Sequence, residues 1–297
     1  MAAAPESEQP PASPLGRLDA FMARSPWHPR LVPFFAYIVG LFVIGVIADA
    51  YLPAYPVLYT LQCAVVVWLL WRYRRLLPEM TLRFHWTVVP SAVLLTAAWV
   101  GLGYGYNLLL LGERDPLVWE AEDTFRPLFE MSLAYGWAAL VLRLLGMSLV
   151  VPFFEELFIR SAMLRSLHDW KTTRVGLVQI ATDLPLIGEW VSNTGAGKRA
   201  ESMPPQLTRN LETVPLGAVT VFATAASTFV FMMSHAWRDW AGCIACGVVW
   251  CAMVGWTNRA SLAPEQRAGL GPVIWSHGLV NALLWGYTLW SGDWQFL

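Results

Sequence analysis

The sequence predicts an all-α fold, a polytopic bundle of about seven to eight membrane-spanning helices. Of its 297 residues, 56% are hydrophobic and only 14% are charged, and the mean hydropathy is +0.47, a balance typical of membrane proteins. Apolar runs recur that are long enough to cross the ~30 Å core of a bilayer, which takes about 20 helical residues. The formal net charge of −1 argues against a nucleic-acid partner, because no basic face is large enough to hold a phosphate backbone.

The predicted spans follow one another along the chain as apolar runs. The charge-free runs are 31–48, 50–71, 86–112, 213–234, 240–257 and 268–292. A further run, 131–154, is interrupted only by Arg143. Because lipid offers no hydrogen bonds to the backbone, each span is expected to be a helix.

The residues before the first span have a different composition. Residues 1–30 are rich in Pro, Ala and Ser, which predicts a disordered tail followed by a short amphipathic lead-in. A cleavable signal is not expected, because the apolar stretch starts only at residue 31 and is followed by Asp49 rather than by a small-residue cleavage site.

The charges between the spans predict the orientation in the membrane. Basic residues before the first span and between the second and third place both segments, and so the N-terminus, in the cytoplasm: Arg17, Arg24, Arg30, Arg72, Arg74, Arg75 and Arg83. The loop 113–130 is acidic and is expected outside. Residues 31–130 thus form N-terminal spans with an external loop, and 131–297 form a core with a cytoplasmic insertion at about 169–212.

The insertion divides into two parts. The segment RVGLVQIATDLPLIGEW is apolar but too interrupted to span, and it predicts an interfacial helix or cap. The segment SNTGAGKRAESMPPQ has no periodicity and predicts a flexible loop.

Four cysteines lie within apolar runs, and Cys243 and Cys246 have C-x-x-C spacing: Cys63, Cys243, Cys246 and Cys251. No second cysteine pair and no flanking strand pattern accompany them. They are therefore expected to be packing residues rather than a redox or metal site.

Charged residues follow the apolar run 131–154 in the segment VVPFFEELFIRSAMLR. Glu156 and Arg160 are four residues apart, so they share a helix face and can form an ion pair, whereas Glu155 points about 100 degrees away. One interpretation is that both glutamates mark the membrane edge and are solvated by headgroups. The other is that Arg160 fixes the helix through Glu156 while Glu155 faces a water-filled cavity as a general base.

Two more apolar runs carry polar side chains. In FVFMMSHAW, His235 lies four residues after Phe231, and in VIWSHGLVNALLW, His277 and Asn281 are four apart on one helix face. A lone histidine at such a place is more often a hydrogen-bonded packing residue. Polar groups scattered toward lipid would each cost several kcal/mol, roughly, whereas gathered on one wet cavity they would satisfy one another.

These residue types favour hydrolysis by an activated water. The sequence has no G-x-S-x-G elbow and no cysteine with a nearby histidine, so a serine or cysteine nucleophile has no obvious candidate. A carboxylate and a histidine can activate water, and a histidine with an amide can stabilise an oxyanion. This chemistry corresponds to peptide-bond hydrolysis within the membrane.

The ordered motifs Glu155-Glu156-x-x-x-Arg160, Phe231-x-x-x-His235 and His277-x-x-x-Asn281 resemble the CPBP family of glutamic intramembrane proteases, which includes the CAAX prenyl endopeptidases. The resemblance covers about residues 131–292. WLLWRYRRLLPEM and the context of the first motif look like the bacterial subgroup associated with exosortase systems. The gap between Glu155 and His235 is longer than the compact family pattern, because of the insertion.

The resemblance implies a role for each motif residue. Glu155 and His235 would bind and activate the attacking water, His277 and Asn281 would form the oxyanion site, and Glu156 with Arg160 would support the structure, as would Phe231 on the face of His235. It also implies no metal or cofactor, a bacterial inner membrane, and a membrane-associated or lipidated protein or peptide as substrate.

Other functions remain open from the residues alone. Glu155, His235 and His277 could instead ligate zinc, since two imidazoles and a carboxylate leave an open fourth position, although no HExxH motif is present. A non-catalytic membrane scaffold or immunity protein would also retain these residues. A transporter is less favoured because the chain shows no internal repeat.

Overall fold

A computed structural model describes residues 13–106 and 121–296 of the chain, and these residues form helices and connecting turns without β-strands. The helices are α1 Pro14–Arg24, α2 His28–Ala50, α3 Tyr55–Tyr73, α4 Val88–Tyr106, α5 Ala121–Met131, α6 Leu133–Leu149, α7 Val151–Glu156, α8 Leu164–Ser166, α9 Trp170–Thr182, α10 Gly188–Ser192, α11 Gly195–Glu201, α12 Gln206–Thr213, α13 Val221–Met233, α14 Trp240–Thr257 and α15 Gly271–Ser291. A π-helical segment, Leu157–Met163, joins α7 to α8. The all-α prediction is confirmed for this part of the chain.

Five helical segments in the described ranges are long and apolar enough to cross a membrane. They are His28–Ala50, Leu52–Leu76, Val88–Gly105, Leu133–Ser166 and Trp237–Thr257. The length of α13 is only 13 residues. Helix α15 has 21 residues, but Ser276, His277 and Asn281 lower its hydropathy. The molecule thus has the character of a membrane protein, with five clear candidate spans.

The lead-in predicted between the N-terminal tail and the first span is helical. Residues 1–12 lie outside the described part of the chain, but the lead-in is an ordered helix, α1. The Ser13 side chain accepts a hydrogen bond from the backbone N–H of Gly16, which caps the helix start. Met22 is buried in a small cluster with Leu69 and Tyr73 of α3, so tertiary packing holds this segment in place.

The insertion is more regular than predicted. It contains α9 to α12, and α11 lies within the segment expected to be a flexible loop. The Thr194 side chain accepts from the N–H of Gly197 at the start of α11, and Asp169 accepts from Thr172 at the start of α9. The expectation of a loop was wrong because these local caps, rather than hydrophobic periodicity, define such short helices.

The segment 133–166 is central to the fold. Helix α6 ends before Val150, Pro152 lies in the first turn of α7, and the following turns are π-helical. All residues from Leu157 to Ala162 are buried. A π segment adds a residue to the turn and is frequent at functional sites. The helix therefore continues well beyond the apolar run 131–154, through the charged motif and into the core.

Close helix contact brings α15 against α6. A Cβ at Gly278 would collide with the backbone carbonyl oxygen of Ser148, so only glycine allows this approach. The polar residues that flank Gly278, His277 and Asn281, are therefore held against the end of α6 and the start of α7. The ends of α15 are also encoded locally, with Pro272 in its first turn and Gly292 in the left-handed conformation after its last residue.

Candidate functional site

The predicted ion pair of the first motif is present and fully buried. Glu156 and Arg160 are both 0% exposed, and Nε of Arg160 lies 3.3 Å from Oε2 of Glu156. Glu155 is also buried, with 9% exposure. The interpretation that the two glutamates are solvated by headgroups is therefore wrong, because the π-helical turn and its apolar neighbours enclose them.

Aromatic rings cover the guanidinium of Arg160. Its central carbon lies 4.7 Å from the ring centre of Phe231 and 5.1 Å from that of Trp250. These cation–π contacts supply attraction on the faces that no carboxylate occupies. Phe231 thus contacts the buried cation, which gives it a physical role in the support of the motif.

His277 lies between the two glutamates. Its Nδ1 is 2.8 Å from Oε1 of Glu156, and its Nε2 is 3.7 Å from Oε2 of Glu155. The imidazole also stacks on Trp250 with the ring centres 4.6 Å apart. The indole N–H of Trp250 in turn donates to the Ser276 hydroxyl at 3.0 Å. The contacts of its two nitrogens with the glutamates and the stacking on Trp250 therefore fix the orientation of the His277 ring.

His235 follows the end of α13, and its ring is held by the backbone of the last turn of that helix. Its Nδ1 lies 3.0 Å from the carbonyl oxygen of Phe231. A carbonyl only accepts, so Nδ1 carries the proton of that hydrogen bond and Nε2 has the free lone pair in the neutral ring. No described carboxylate lies within 4.0 Å of His235. The histidine that contacts Glu155 is therefore His277, whereas the resemblance assigns Glu155 and His235 as the pair.

A partly open cavity of about 130 Å³ connects the second and third motifs. Its lining includes His235, His277 and Asn281, together with Phe231 and Trp250. The cavity is roomy and polar enough to hold water. Among the described residues Glu155 is not part of this lining, but it contacts the ring of His277 that is.

Asn281 reaches the cavity from the same face of α15 as His277. Its Nδ2 donates to the backbone carbonyl of Met147 at 2.7 Å. This bond fixes the amide against α6 and uses one of its two N–H groups. The other N–H and the amide oxygen are the groups left for a ligand.

The short length of α13 explains how His235 meets the other motif residues. Its 13 residues rise about 20 Å, less than the ~30 Å of a hydrocarbon core. The apolar run 213–234 predicts a longer helix that ends just before His235. The helix begins only at Val221, after the Thr220 cap, and Phe231 and His235 at its end line the cavity.

Sequence reasoning missed several residues that line the cavity. They are Trp250 on α14 and the charged residues Arg143, Arg238 and Asp239. Arg143 carried a usable signal, because a charge within an apolar span is a functional candidate by the same reasoning that selected Glu155. Trp250 carried no signal, because its chain neighbours are apolar and only packing places it on His277.

No group of three or more His, Cys, Asp and Glu side chains in 13–106 and 121–296 is arranged to hold a metal ion. The zinc alternative required Glu155, His235 and His277 to form such a group, and the described geometry does not assemble it. Cys243, Cys246 and Cys251 are buried and unpaired, in agreement with their predicted packing role.

Comparison with known proteins gives no relative. No family model, no curated protein and no solved structure matches the chain. The functional argument therefore depends on the three motifs and on the geometry that joins them.

Proposed function

We propose that this protein is a glutamic-type intramembrane endopeptidase that hydrolyses a peptide bond of a membrane-associated or lipidated protein. The observation that carries the proposal is the contact of His277 with both glutamates beside a partly open cavity that His277, His235 and Asn281 line. A membrane interior gathers such groups at a high energetic cost, and catalysis of hydrolysis accounts for all of them.

The proposed first step is the activation of water by Glu155. One oxygen of this carboxylate is buried and has no hydrogen-bond partner. It is therefore the acceptor available to take a proton from a water that attacks the carbonyl carbon of the substrate. His235 lines the cavity, and its Nε2 lone pair would be a second acceptor that orients this water.

The second step is the stabilisation of the oxyanion. The remaining N–H of Asn281 and the Nε2–H of His277 are the proposed donors. For His277 to donate from Nε2, both ring nitrogens must carry protons, with Nδ1–H donated to Glu156. The proton held by Glu155 then passes to the leaving amine, so the C–N bond breaks and a carboxylic acid and an amine result.

The proposal includes the membrane arrangement. Helices α13 and α15 would join the five apolar segments to give seven spans, of which α13 is too short to cross alone. By the positive-inside rule, the arginines before α2 and after α3 support a cytoplasmic N-terminus, and the proposed membrane is a bacterial inner membrane.

The test is peptide hydrolysis by the detergent-purified protein, with a proteome-derived peptide mixture as the probe and mass spectrometry of the products. Glu155→Gln should reduce turnover by roughly 10²- to 10⁴-fold, because it removes the general base while it keeps the shape of the side chain. Glu189→Gln is the matched control, since Glu189 is exposed in the insertion.

Three outcomes distinguish the candidate functions. Turnover that survives Glu155→Gln would contradict the proposed base. Turnover that disappears with a chelator and returns with zinc would favour a metalloprotease. Absence of any hydrolysis would favour a scaffold or immunity protein, provided that cells carrying Glu155→Gln behave like cells carrying the native protein.

A further inference from the structure

One charge on the cavity wall is not explained by the chemistry above. Arg143 lies on α6 inside a candidate span and lines the cavity with His235 and Asn281. The guanidinium lies 5.0 Å from the ring centre of Tyr59. No carboxylate in the described part of the chain is within ion-pair distance of it.

The other arginines in comparable places have carboxylate partners. Arg160 is 3.3 Å from Glu156, and Arg30 is 2.7 Å from Glu79. Arg238, on the wall of the same cavity, is 3.8 Å from Asp239. The fold therefore pairs these interior cations with internal acids, whereas Arg143 lies near the side chains of Tyr37, Tyr55 and Tyr59 and beside the cavity.

The position of Arg143 relates it to the proposed reaction. It is one helical turn, about 6 Å, from Met147, whose carbonyl oxygen accepts from Asn281. An extended peptide advances about 3.3–3.6 Å per residue, so an anion and a peptide bond that are separated by this one turn of α6 would be about two residues apart. A guanidinium is the side chain best suited to bind a carboxylate through two parallel hydrogen bonds.

We propose that Arg143 binds a carboxylate of the substrate and so selects peptide bonds about two residues away from it. The inference rests on the proposed endopeptidase function. Both an acidic side chain and a free C-terminal carboxylate supply this chemistry. In the free protein, the ring of Tyr59 and cavity water would solvate the cation.

The experiment measures the sequences that are cut, not only their amount. A synthetic peptide library with free C-termini and the same library with amidated C-termini are incubated with the detergent-purified protein, and each cleavage site is read by mass spectrometry. Enrichment of Asp and Glu about two residues from the cut in both libraries identifies a side-chain carboxylate. Cuts near the C-terminus that are lost on amidation identify the terminal carboxylate.

Variants of Arg143 test the assignment to this residue. Arg143→Gln should reduce the preference for carboxylate-containing peptides over their amides by roughly 10- to 100-fold, since a charge-assisted contact is lost. Arg143→Lys keeps the charge but not the two parallel hydrogen bonds, so it should retain only part of the preference, and Arg143→Glu should favour Lys and Arg instead. Each preference is a ratio within one preparation, so partial misfolding does not change it, and exposed Arg209→Gln is the control.

The results that would overturn each proposal are different. Cleavage by the native protein without a carboxylate preference, or a preference that survives Arg143→Gln, overturns the role of Arg143 and leaves the endopeptidase proposal intact. No cleavage by the native protein overturns both.

Discussion

Two buried ionic clusters lie along the segment 151–166, and they differ in how their polar atoms are paired. In the first, Glu79 accepts from Arg30 at 2.7 Å, from Arg165 at 3.1 Å and from the hydroxyl of Ser161. In the second, Glu156 pairs with Arg160 and His277, and Glu155 lies within ion-pair distance of His277.

The difference lies in the unsatisfied atoms. Among the described residues, Oε2 of Glu155 and Nη2 of Arg160 are buried without a hydrogen-bond partner, and Nε of Arg160 faces Oε2 of Glu156 at 3.3 Å without hydrogen-bond geometry. The cluster of described residues around Glu79 has no buried atom of this kind. A complete buried network stabilises and orders the fold, and an incomplete one is costly. The comparison indicates that the Glu79 cluster joins α2 to the π-helical turn as a structural contact, while the Glu155 cluster keeps groups available for chemistry.

The largest effect that tests this contrast is expected from Arg160→Met. The change leaves Glu156 without its buried cation, which should lower the free energy of unfolding by about 3–5 kcal/mol. Thermal unfolding of the detergent-purified protein measures it. The double variant Glu156→Gln with Arg160→Met should recover part of the loss, and an unchanged unfolding curve for the single variant would contradict the buried pair.

A change at Asn281 should act on activity instead. Asn281→Ala removes a proposed oxyanion donor and should lower kcat by roughly 10²- to 10³-fold. The thermal midpoint serves as the control, because the bond to the Met147 carbonyl is one of many contacts between α15 and α6. A loss of stability that matches the loss of activity would assign Asn281 a purely structural role.

Glu79→Gln should give the opposite pattern. It weakens charge-assisted hydrogen bonds from Arg30 and Arg165 and should cost about 1.5–3 kcal/mol of unfolding free energy. Activity per folded molecule should stay within about threefold of the native protein. A selective loss of turnover would place Glu79 in the functional site and remove the contrast between the clusters.

The smallest effect is the pH dependence of the Glu79 contribution. Burial raises the pKa of Glu79, but the charges of Arg30 and Arg165 outweigh burial and hold this pKa below its usual value of 4.5. Its stabilisation is therefore fully present above pH 4.5 and is lost as the pH falls through the lower, folded-state pKa. The stability difference between the native protein and Glu79→Gln should shrink over that acidic range, and a constant difference would contradict the assignment.

Much of the site could be predicted because each motif is short in sequence. The i, i+4 spacing places Glu156 beside Arg160 and His277 beside Asn281 on any helix. The apolar runs predicted where helices form. They did not predict the number of spans, because α13 is shorter than its run and α15 carries the polar residues of the site.

Contacts between distant helices could not be predicted in this way. Spacing gave no reason for His277, rather than His235, to contact Glu155, for Trp250 to stack on His277, or for Glu79 to pair with Arg30. The π-helical turn could not be predicted either, because its residues have an ordinary helical composition.

By itself the sequence determined a helical membrane chain and three polar motifs, because lipid requires internally bonded helices and a helix fixes which side chains share a face. The tertiary structure alone decided which motifs meet. That decision depends on the approach of α15 to α6 at Gly278 and on the short α13, which place His277 between two glutamates and bring Arg143 to the wall of the same cavity.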